Sequence, residues 1–405
     1  MGNDFIPARQ ACALLGITPA TLYAYVSRGL VQSRPGPDHR TRVYRRLDVE
    51  KLAQRKRAGR GAARGAAQSL DRGLPVMETR ISLIRADGPW YRGRSAVALA
   101  RQGATLEDTA RLLWDCGDED PFATPVAGNW PESVATLAGD ARLPPVARAM
   151  AAIPLLALDV PDSYSSSPAV RRRIAATLLR QNAALLVGTT PCNAPVHEVL
   201  ARRWRPRDHR FAGLVRAALV LCAEHELNVS AFAARVVAST GAHLHATACA
   251  GLAAMTGPRH GGATARAWAL IREALDAPSP RRHVAERWQR GDDLPGFGHA
   301  LYPDGDPRAA ALLDMLREAR GGAKPMRGIE EIIAGAAESS GQKPNVDFLL
   351  AALCHVHDLP APHALVVFAA GRLTGWLAHA MEQQAMGRLI RPRASYVGAA
   401  IDAPA

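Results

Sequence analysis

The sequence predicts an all-α body of packed helices, preceded by a small winged helix-turn-helix unit. Three observations carry this. From Gly73 onward the chain is rich in Ala, Leu and Arg, poor in β-branched runs and punctuated by Gly and Pro, which is the composition of many short packed helices. The first 57 residues instead read as helix, turn, helix and two short strands. At 405 residues and 48% hydrophobic, the chain is long enough for more than one domain and apolar enough to fill their cores.

In the first unit, Pro7 to Leu15 reads as a short helix with Ala11, Leu14 and Leu15 inward. Gly16-Ile17-Thr18 is a tight turn. Thr18 is suited to cap a second helix and Pro19 to its first position. Leu22, Tyr23 and Val26 then recur at helical spacing, and Gly29 closes the helix. Leu30 to Ser33 and Thr41 to Arg45 are expected to pair as strands on either side of Pro35-Gly36-Pro37. Asp48 then caps a basic helix reaching Arg57.

Charge singles out the same region. Residues 1–66 contain 13 Lys/Arg and 4 Asp/Glu, a net of +9 out of +13 for the chain. So concentrated a basic segment points to a polyanion partner. The unit resembles the excisionase/MerR type of DNA-binding domain, with "ACALLGITPATLYAYVSRGLV" as helix-turn-helix and "RTRVYRRLDVEKL" as wing and following helix. That resemblance implies DNA binding, with Arg28 and Arg42 as contacts; a docking or dimerisation module is the alternative. Residues 58–72, "AGRGAARGAAQSLDR", have no apolar period and read as a linker.

The six cysteines form no C-x-x-C pair and no zinc-spaced cluster, consistent with reduced thiols and no metal site. The first ten residues lack the apolar stretch of a signal peptide, and no run of about 20 apolar residues suggests a membrane span. A cytoplasmic protein is expected.

Further along, Asn228 or Ser230 is placed to cap a helix bearing Phe232, Val236 and Val237. After Gly241 a second helix sets Leu244, Ala248 and Leu252 on one face. Three polar residues then stand in unusual settings. His260 lies in "TGPRHGGA" and His299 in "LPGFGHALYPDGDPRA", both beside glycines that let a ligand approach the backbone. Asp347, in "KPNVDF", sits between Val346 and Phe348, where desolvation would raise its pKa towards that of a useful base. Taken singly, such a histidine is more often a cap or a satisfied structural residue, and such an aspartate a helix N-cap.

The ordered series of motifs changes that balance. "METRISLI", "YRG", "AEHELNVSAFAARVVASTGAHLHATACAGLAAMTGPRHGGA", "GFGHALYPDGDPRA", "KPNVDF" and "GRLTGWLAHAMEQQAMGRLIRPRASYVG" follow one another between Met77 and Gly398. This stretch resembles citrate synthase. The resemblance implies a large helical domain over residues 73–264 and 361–405, a small helical domain over 265–360, and a winged unit over residues 1–57. It implies a homodimer and a condensation of acetyl-CoA with oxaloacetate, followed by hydrolysis of citryl-CoA, as in the tricarboxylic acid cycle. Asp347 would be the base on the acyl methyl group, His260 the donor to the thioester oxygen and His299 the donor to the oxo acid's carbonyl. His225, Arg308 and Arg372 match the family's oxaloacetate ligands, Phe368 a pocket-lining aromatic, and Arg391 a ligand contributed in trans.

No metal or bound redox cofactor is implied; CoA enters as acyl-CoA and leaves as product. Three positions depart from the family pattern: Ala300, where a base often meets CoA phosphates, Arg259 before His260, and Leu349-Leu350-Ala351 after "PNVDF". A preference for propionyl-CoA, giving 2-methylcitrate, is the alternative within the enzyme class. A DNA-binding regulator sensing acyl-CoA or oxaloacetate is the alternative outside it.

Overall fold

The computed structural model describes residues 5–27, 31–36, 41–46, 48–49, 77–394 and 398. The chain divides into two compact units, residues 1–78 with 391–405, and residues 79–390.

The first unit opens with β1 (Phe5–Pro7), then α1 (Ala8–Leu15) and α2 (Pro19–Ser27), β2 (Ser33–Pro35) and β3 (Arg42–Arg45). The strands form an antiparallel sheet in the order β1-β3-β2. Gly16 takes a left-handed φ of 58° to end α1, a conformation glycine adopts without cost. Thr18 Oγ1 accepts from Thr21 N at 3.5 Å at the start of α2. A small core gathers Ile6, Ala11, Leu15, Leu22, Val31, Tyr44 and Val49.

The sequence reading differs here in three ways. Strand β1 was unforeseen, because three residues carry no visible alternation. The strand before the turn runs over Ser33–Pro35, so Pro35 ends a strand where a break was expected. Tyr23 points outward, 57% exposed, since helical spacing alone does not say which neighbour of Leu22 faces the core. Gly29, Arg28, the linker 58–72 and most of the helix expected up to Arg57 lie outside the described residues.

The second unit begins with a three-stranded antiparallel sheet, β4 (Ser82–Arg85), β5 (Gly88–Tyr91) and β6 (Arg94–Ser95). It adds a small sheet to an otherwise helical body: the elements named after it are all helices. The helices are α3 (Ala96–Arg101), α4 (Leu106–Leu113), α5 (Glu132–Gly139), α6 (Pro145–Leu156), α7 (Pro168–Val187), α8 (Val196–Trp204), α9 (His209–Cys222), α10 (Val229–Ser239) and α11 (Leu244–Met255). They continue with α12 (Ala263–Asp276), α13 (Pro280–Gln289), α14 (Pro307–Arg320), α15 (Lys324–Ser340), α16 (Val346–Val356) and α17 (Pro362–Met386).

Helix α17 is the axis of the unit. It packs against α4, α6, α7, α9, α10, α11, α12 and α16. It is long and apolar enough to cross a membrane, but 89% of its apolar window is buried inside the protein, so it is a core helix. Along it, a Cβ at Gly375 would stand 2.5 Å from Ala223 O. The missing side chain lets α17 reach the segment after α9, where Gly375 N–H donates to Ala223 O at 3.1 Å.

Asn228 caps α10, accepting from Ser230 N and Ala231 N. The helix buries Ser230, Ala231, Ala234, Arg235 and Ala238, leaving Phe232, Val236 and Val237 half-buried. Small residues face inward because α10 lies close to α11 and α17. In α11 the expected face holds: Leu244, Ala248 and Leu252 are buried.

Candidate active site

The site is assembled from four loops and one helix. The first loop follows α9. Tyr91 of β5 donates its hydroxyl to Val220 O at 3.0 Å and to Glu224 O at 3.1 Å. Glu224 itself is fully buried, its Oε1 accepting from Ser82 Oγ and His379 Nε2, each at 3.1 Å. These contacts fix the backbone on either side of His225. That ring is buried, with Nε2 2.9 Å from the Tyr302 hydroxyl.

The second loop carries His299 and is laced to the third, which leads into α16. Gly298 N donates to Lys343 O at 2.9 Å, Asn345 N to Gly296 O at 2.8 Å, and Asn345 Nδ2 to Gly298 O at 3.0 Å. Gly296, at φ +87°, permits this: a Cβ there would meet Phe348 Cβ at 2.8 Å. His299 Nδ1 accepts from Leu301 N at 3.1 Å and its Nε2 stands 3.4 Å from Arg308 Nη2; with the shorter bond kept, the proton of the neutral ring sits on Nε2. The His299 ring lies 5.4 Å from His225 and 4.8 Å from Tyr302.

Asp306 caps α14 and holds Arg308 in a two-pronged pair, Nε–Oδ1 2.9 Å and Nη2–Oδ2 2.8 Å. Both side chains are almost wholly buried. Asp306 Oδ2 also accepts from Val346 N at 3.1 Å, which joins the start of α14 to the start of α16. There Asn345 acts as the cap of α16, through Asp347 N and Phe348 N. Asp347 therefore sits in the first turn, its side chain free of capping duty. Its Oδ1 is buried and has no hydrogen-bond partner.

The fourth loop, between α11 and α12, presents His260. Its Nε2 lies 2.7 Å from Ser230 Oγ, which also accepts from Trp376 Nε1 at 3.0 Å. The imidazole stands edge-on to Phe368, centroids 5.9 Å apart. From α17, Arg372 is buried, donates Nε to Cys222 O at 2.6 Å and lies 4.9 Å from the Phe368 ring centroid. Its two terminal nitrogens make no hydrogen bond among the described residues, a costly state for a buried cation unless an anion completes it.

Burial sets the protonation states. It pushes Asp347 up to about 6, with Arg308 and Arg372 pulling down and Asp306 pushing up. Burial holds His260 down at about 4, Arg372 adding to it. His225 is pushed well below the usual histidine range by burial, then by Arg308 and Arg372. His299 is lowered by burial and by Arg308. Burial works against the charge of Arg308, but Asp306 outweighs it and the pKa rises. The three histidines are thus neutral near pH 7, facing two fixed guanidinium groups and one carboxylate of raised pKa.

Nine of the ten sequence-predicted site residues lie among the described residues. His225, His299, Arg308, His260, Phe368, Arg372 and Asp347 converge through the contacts above. Arg391 is exposed and belongs to the other unit. Arg42 is an exposed β3 residue of the first unit, donating to Ser33 Oγ at 3.2 Å. Sequence reasoning missed Ser230, Tyr302 and Asp306. The last carried a visible signal, an acidic N-cap followed by Pro and Arg.

Neutral imidazoles, a carboxylate of raised pKa, Arg308 paired with Asp306 and an open Arg372 form an arrangement for removing a weakly acidic proton beside a bound polyanion. Comparison with known proteins leads the same way. Residues 69–393 match the family model described as citrate synthase, C-terminal domain. The chain is 33% identical over 348 residues to a Mycobacterium tuberculosis protein provisionally named citrate synthase 2, covering 80% of this chain and 91% of that one. It is 37% identical over 183 residues to a 2-methylcitrate synthase of Shewanella oneidensis, 44% and 49% of the two chains. In fold it is similar to the citrate synthase of Thermoplasma acidophilum in its ternary complex with carboxymethyl coenzyme A and oxaloacetate, with a TM-score of 0.66 and 24% identity over 83% of this chain and 98% of that one. The chain belongs to the citrate synthase family.

Proposed function

We propose that the protein condenses acetyl-CoA with oxaloacetate and hydrolyses the resulting citryl-CoA to citrate and CoA. The observation that carries this reading is Asp347: a carboxylate with pKa about 6 and a buried oxygen without a hydrogen-bond partner among the described residues. A thioester α-proton is very weakly acidic, so a base must act together with a donor on the thioester oxygen. Asp347 takes the methyl proton while His260 donates to that oxygen from Nδ1, the tautomer in which the Ser230 hydroxyl turns from Asn228 Oδ1 to His260 Nε2, each 2.7 Å away.

The enol carbon then attacks the oxo carbon of oxaloacetate, whose carbonyl oxygen accepts from His299 Nε2–H. Arg308, Arg372 and His225 hold the two carboxylates, the guanidinium forks through paired hydrogen bonds. Arg391 of the partner subunit completes the site in a homodimer. The helices of residues 265–360 form the small domain, whose closure over the large one excludes water from the enol.

The second reading is 2-methylcitrate formation from propionyl-CoA, favoured by the likeness to the Shewanella oneidensis enzyme. One methylene in an apolar pocket is worth only about 1–3 kcal/mol. A CoA-release assay with oxaloacetate and either acyl-CoA decides between the two. The acyl-CoA with the higher kcat/KM names the activity, and release from neither overturns the proposal.

The first unit supports a separate reading as a winged helix-turn-helix that binds DNA. Its α1–turn–α2 and three-stranded sheet expose Arg34, Arg42 and Arg45, cations available to a phosphate backbone.

A further inference from the structure

The four loops of the site carry little free positive charge. Residues 223–228, "AEHELN", and 295–306, "PGFGHALYPDGD", contain no Lys or Arg. Residues 341–345 supply Lys343, whose Nζ donates to Asp304 O at 2.9 Å. Residues 256–262 supply Arg259. It is exposed and makes no hydrogen bond or ion pair among the described residues. Arg308 and Arg372, which reach the site from α14 and α17, are buried.

Arg259 is presented from a stiff base. Gly257 O accepts from His260 N at 3.0 Å and from Gly262 N at 3.1 Å, which closes a turn over Gly257–His260 with Pro258 in its second position. A Cβ at Gly261 would stand 2.6 Å from Met255 O, and one at Gly262 2.9 Å from Gly257 O. The loop is therefore folded tightly onto itself and onto the end of α11. From this turn His260 reaches inward to Ser230 Oγ at 2.7 Å, while Arg259 stands exposed at the apex. Two consecutive residues thus serve the pocket and its rim.

We infer that Arg259 binds the phosphates of the acyl-CoA and so separates CoA thioesters from thioesters of simple thiols. This assignment rests on the condensation proposed above, which sets the thioester at His260. In an acyl-CoA the thioester and the phosphates lie at opposite ends of a flexible pantetheine arm. The acyl end enters the buried site between His260 and Asp347, and the anionic end stays at the rim, where water and exposed side chains meet it. Beside His299 the rim offers Ala300, Leu301 and Pro303, all exposed and uncharged, and then the acidic Asp304. Beside His260 it offers an unengaged guanidinium, which meets phosphate oxygens through paired hydrogen bonds. Because Arg259 and His260 share one rigid turn, holding the phosphates also helps to hold the thioester where His260 acts.

The test is calorimetric titration of the full chain with CoA, oxaloacetate held at saturation, in the wild type, Arg259→Gln and Arg259→Lys. Arg259→Gln is expected to weaken CoA about tenfold, close to 1.4 kcal/mol, and to make its affinity less sensitive to salt. Arg259→Lys keeps the charge and should bind CoA more tightly than the Gln variant. In turnover, the preference for acetyl-CoA over acetyl-pantetheine, taken as the ratio of their kcat/KM values, should fall about tenfold in Arg259→Gln. A residue that only shaped the loop would slow both thioesters alike and leave that ratio unchanged. Should the wild type bind CoA but release no thiol from acetyl-CoA, the condensation fails while the titration still judges Arg259. The inference is overturned if CoA does not bind the wild type, if Arg259→Gln binds it as tightly as the wild type, or if the Gln and Lys variants bind it equally. An unchanged ratio between the two thioesters overturns it as well.

Discussion

The two units handle charge in opposite ways. The first keeps a mainly aliphatic core around Ile6, Leu22 and Tyr44, with Arg9, Arg34, Arg42 and Arg45 exposed. The second buries Glu224, His225, Asp306, Arg308, Arg372 and His379 in its interior. Exposed cations are screened by salt within about 10 Å at 0.1 M and hold no fixed geometry. Buried ones are costly, but once paid for by packing they act at short range on a ligand that replaces water. The first arrangement suits a polyanion met along its surface. The second suits a small dianion held rigidly beside a base.

Asp347→Asn should break the second unit's function most severely. Loss of a general base is expected to lower kcat by about 10²- to 10⁴-fold with binding of both substrates nearly unchanged. Wild-type turnover in the Asn variant would remove Asp347 from the mechanism. The same burial makes the wild type's kcat/KM fall as pH drops through about 6, where the carboxylate becomes protonated. It also fixes a sign for stability. The folded pKa, about 6, lies above the ordinary 3.8, so this group's stabilising contribution is full below about pH 4 and lost as pH rises through 6. At pH 8 the Asn variant should therefore be more stable than wild type by up to about 3 kcal/mol, seen as a higher unfolding temperature.

The two buried arginines sharpen the comparison within the second unit. Arg308→Ala strands Asp306 as an unpaired buried carboxylate, and denaturant unfolding should show a loss of about 3–5 kcal/mol. Arg372→Ala strands no acid among the described residues. Its stability should change less, while KM for oxaloacetate rises about ten- to a hundredfold with a smaller effect on kcat, a ground-state loss. Equal destabilisation by the two variants would contradict the distinction between a paired and an open guanidinium.

Arg42→Ala, in the first unit, should have the smallest effect. If its guanidinium meets a phosphate, DNA affinity falls modestly and the slope of log affinity against log salt becomes shallower by about 0.9. CoA release should be untouched. An unchanged slope would remove Arg42 from the interface.

Much of this was legible along the chain, for local reasons. Asn228 and Thr18 act on their own neighbours, so spacing reveals them. Asp347 between Val346 and Phe348 already suggested desolvation, and it has that environment. Tyr302 and Ser230 gave no such signal, because each matters only through a ring brought from far away: Tyr302 to His225 at 2.9 Å, Ser230 to His260 at 2.7 Å. The sheet β4–β6 escaped notice because its strands are four residues or fewer, too short for alternation to stand out from a helical background.

The sequence by itself determined the helical composition of the body, the caps and tight turns, the uneven distribution of charge, and the identity of the polar residues in its motifs. It did not determine which of two buried arginines is already neutralised. Asp306 claims Arg308 within one turn, whereas among the described residues Arg372 hydrogen-bonds only Cys222 O, 150 residues earlier in the chain. Nor did it determine that the three histidines are neutral, or that Asp347 is poised near 6. Those states depend on desolvation and on charges from other helices, and only the packing of α9, α14, α16 and α17 around one point fixes both.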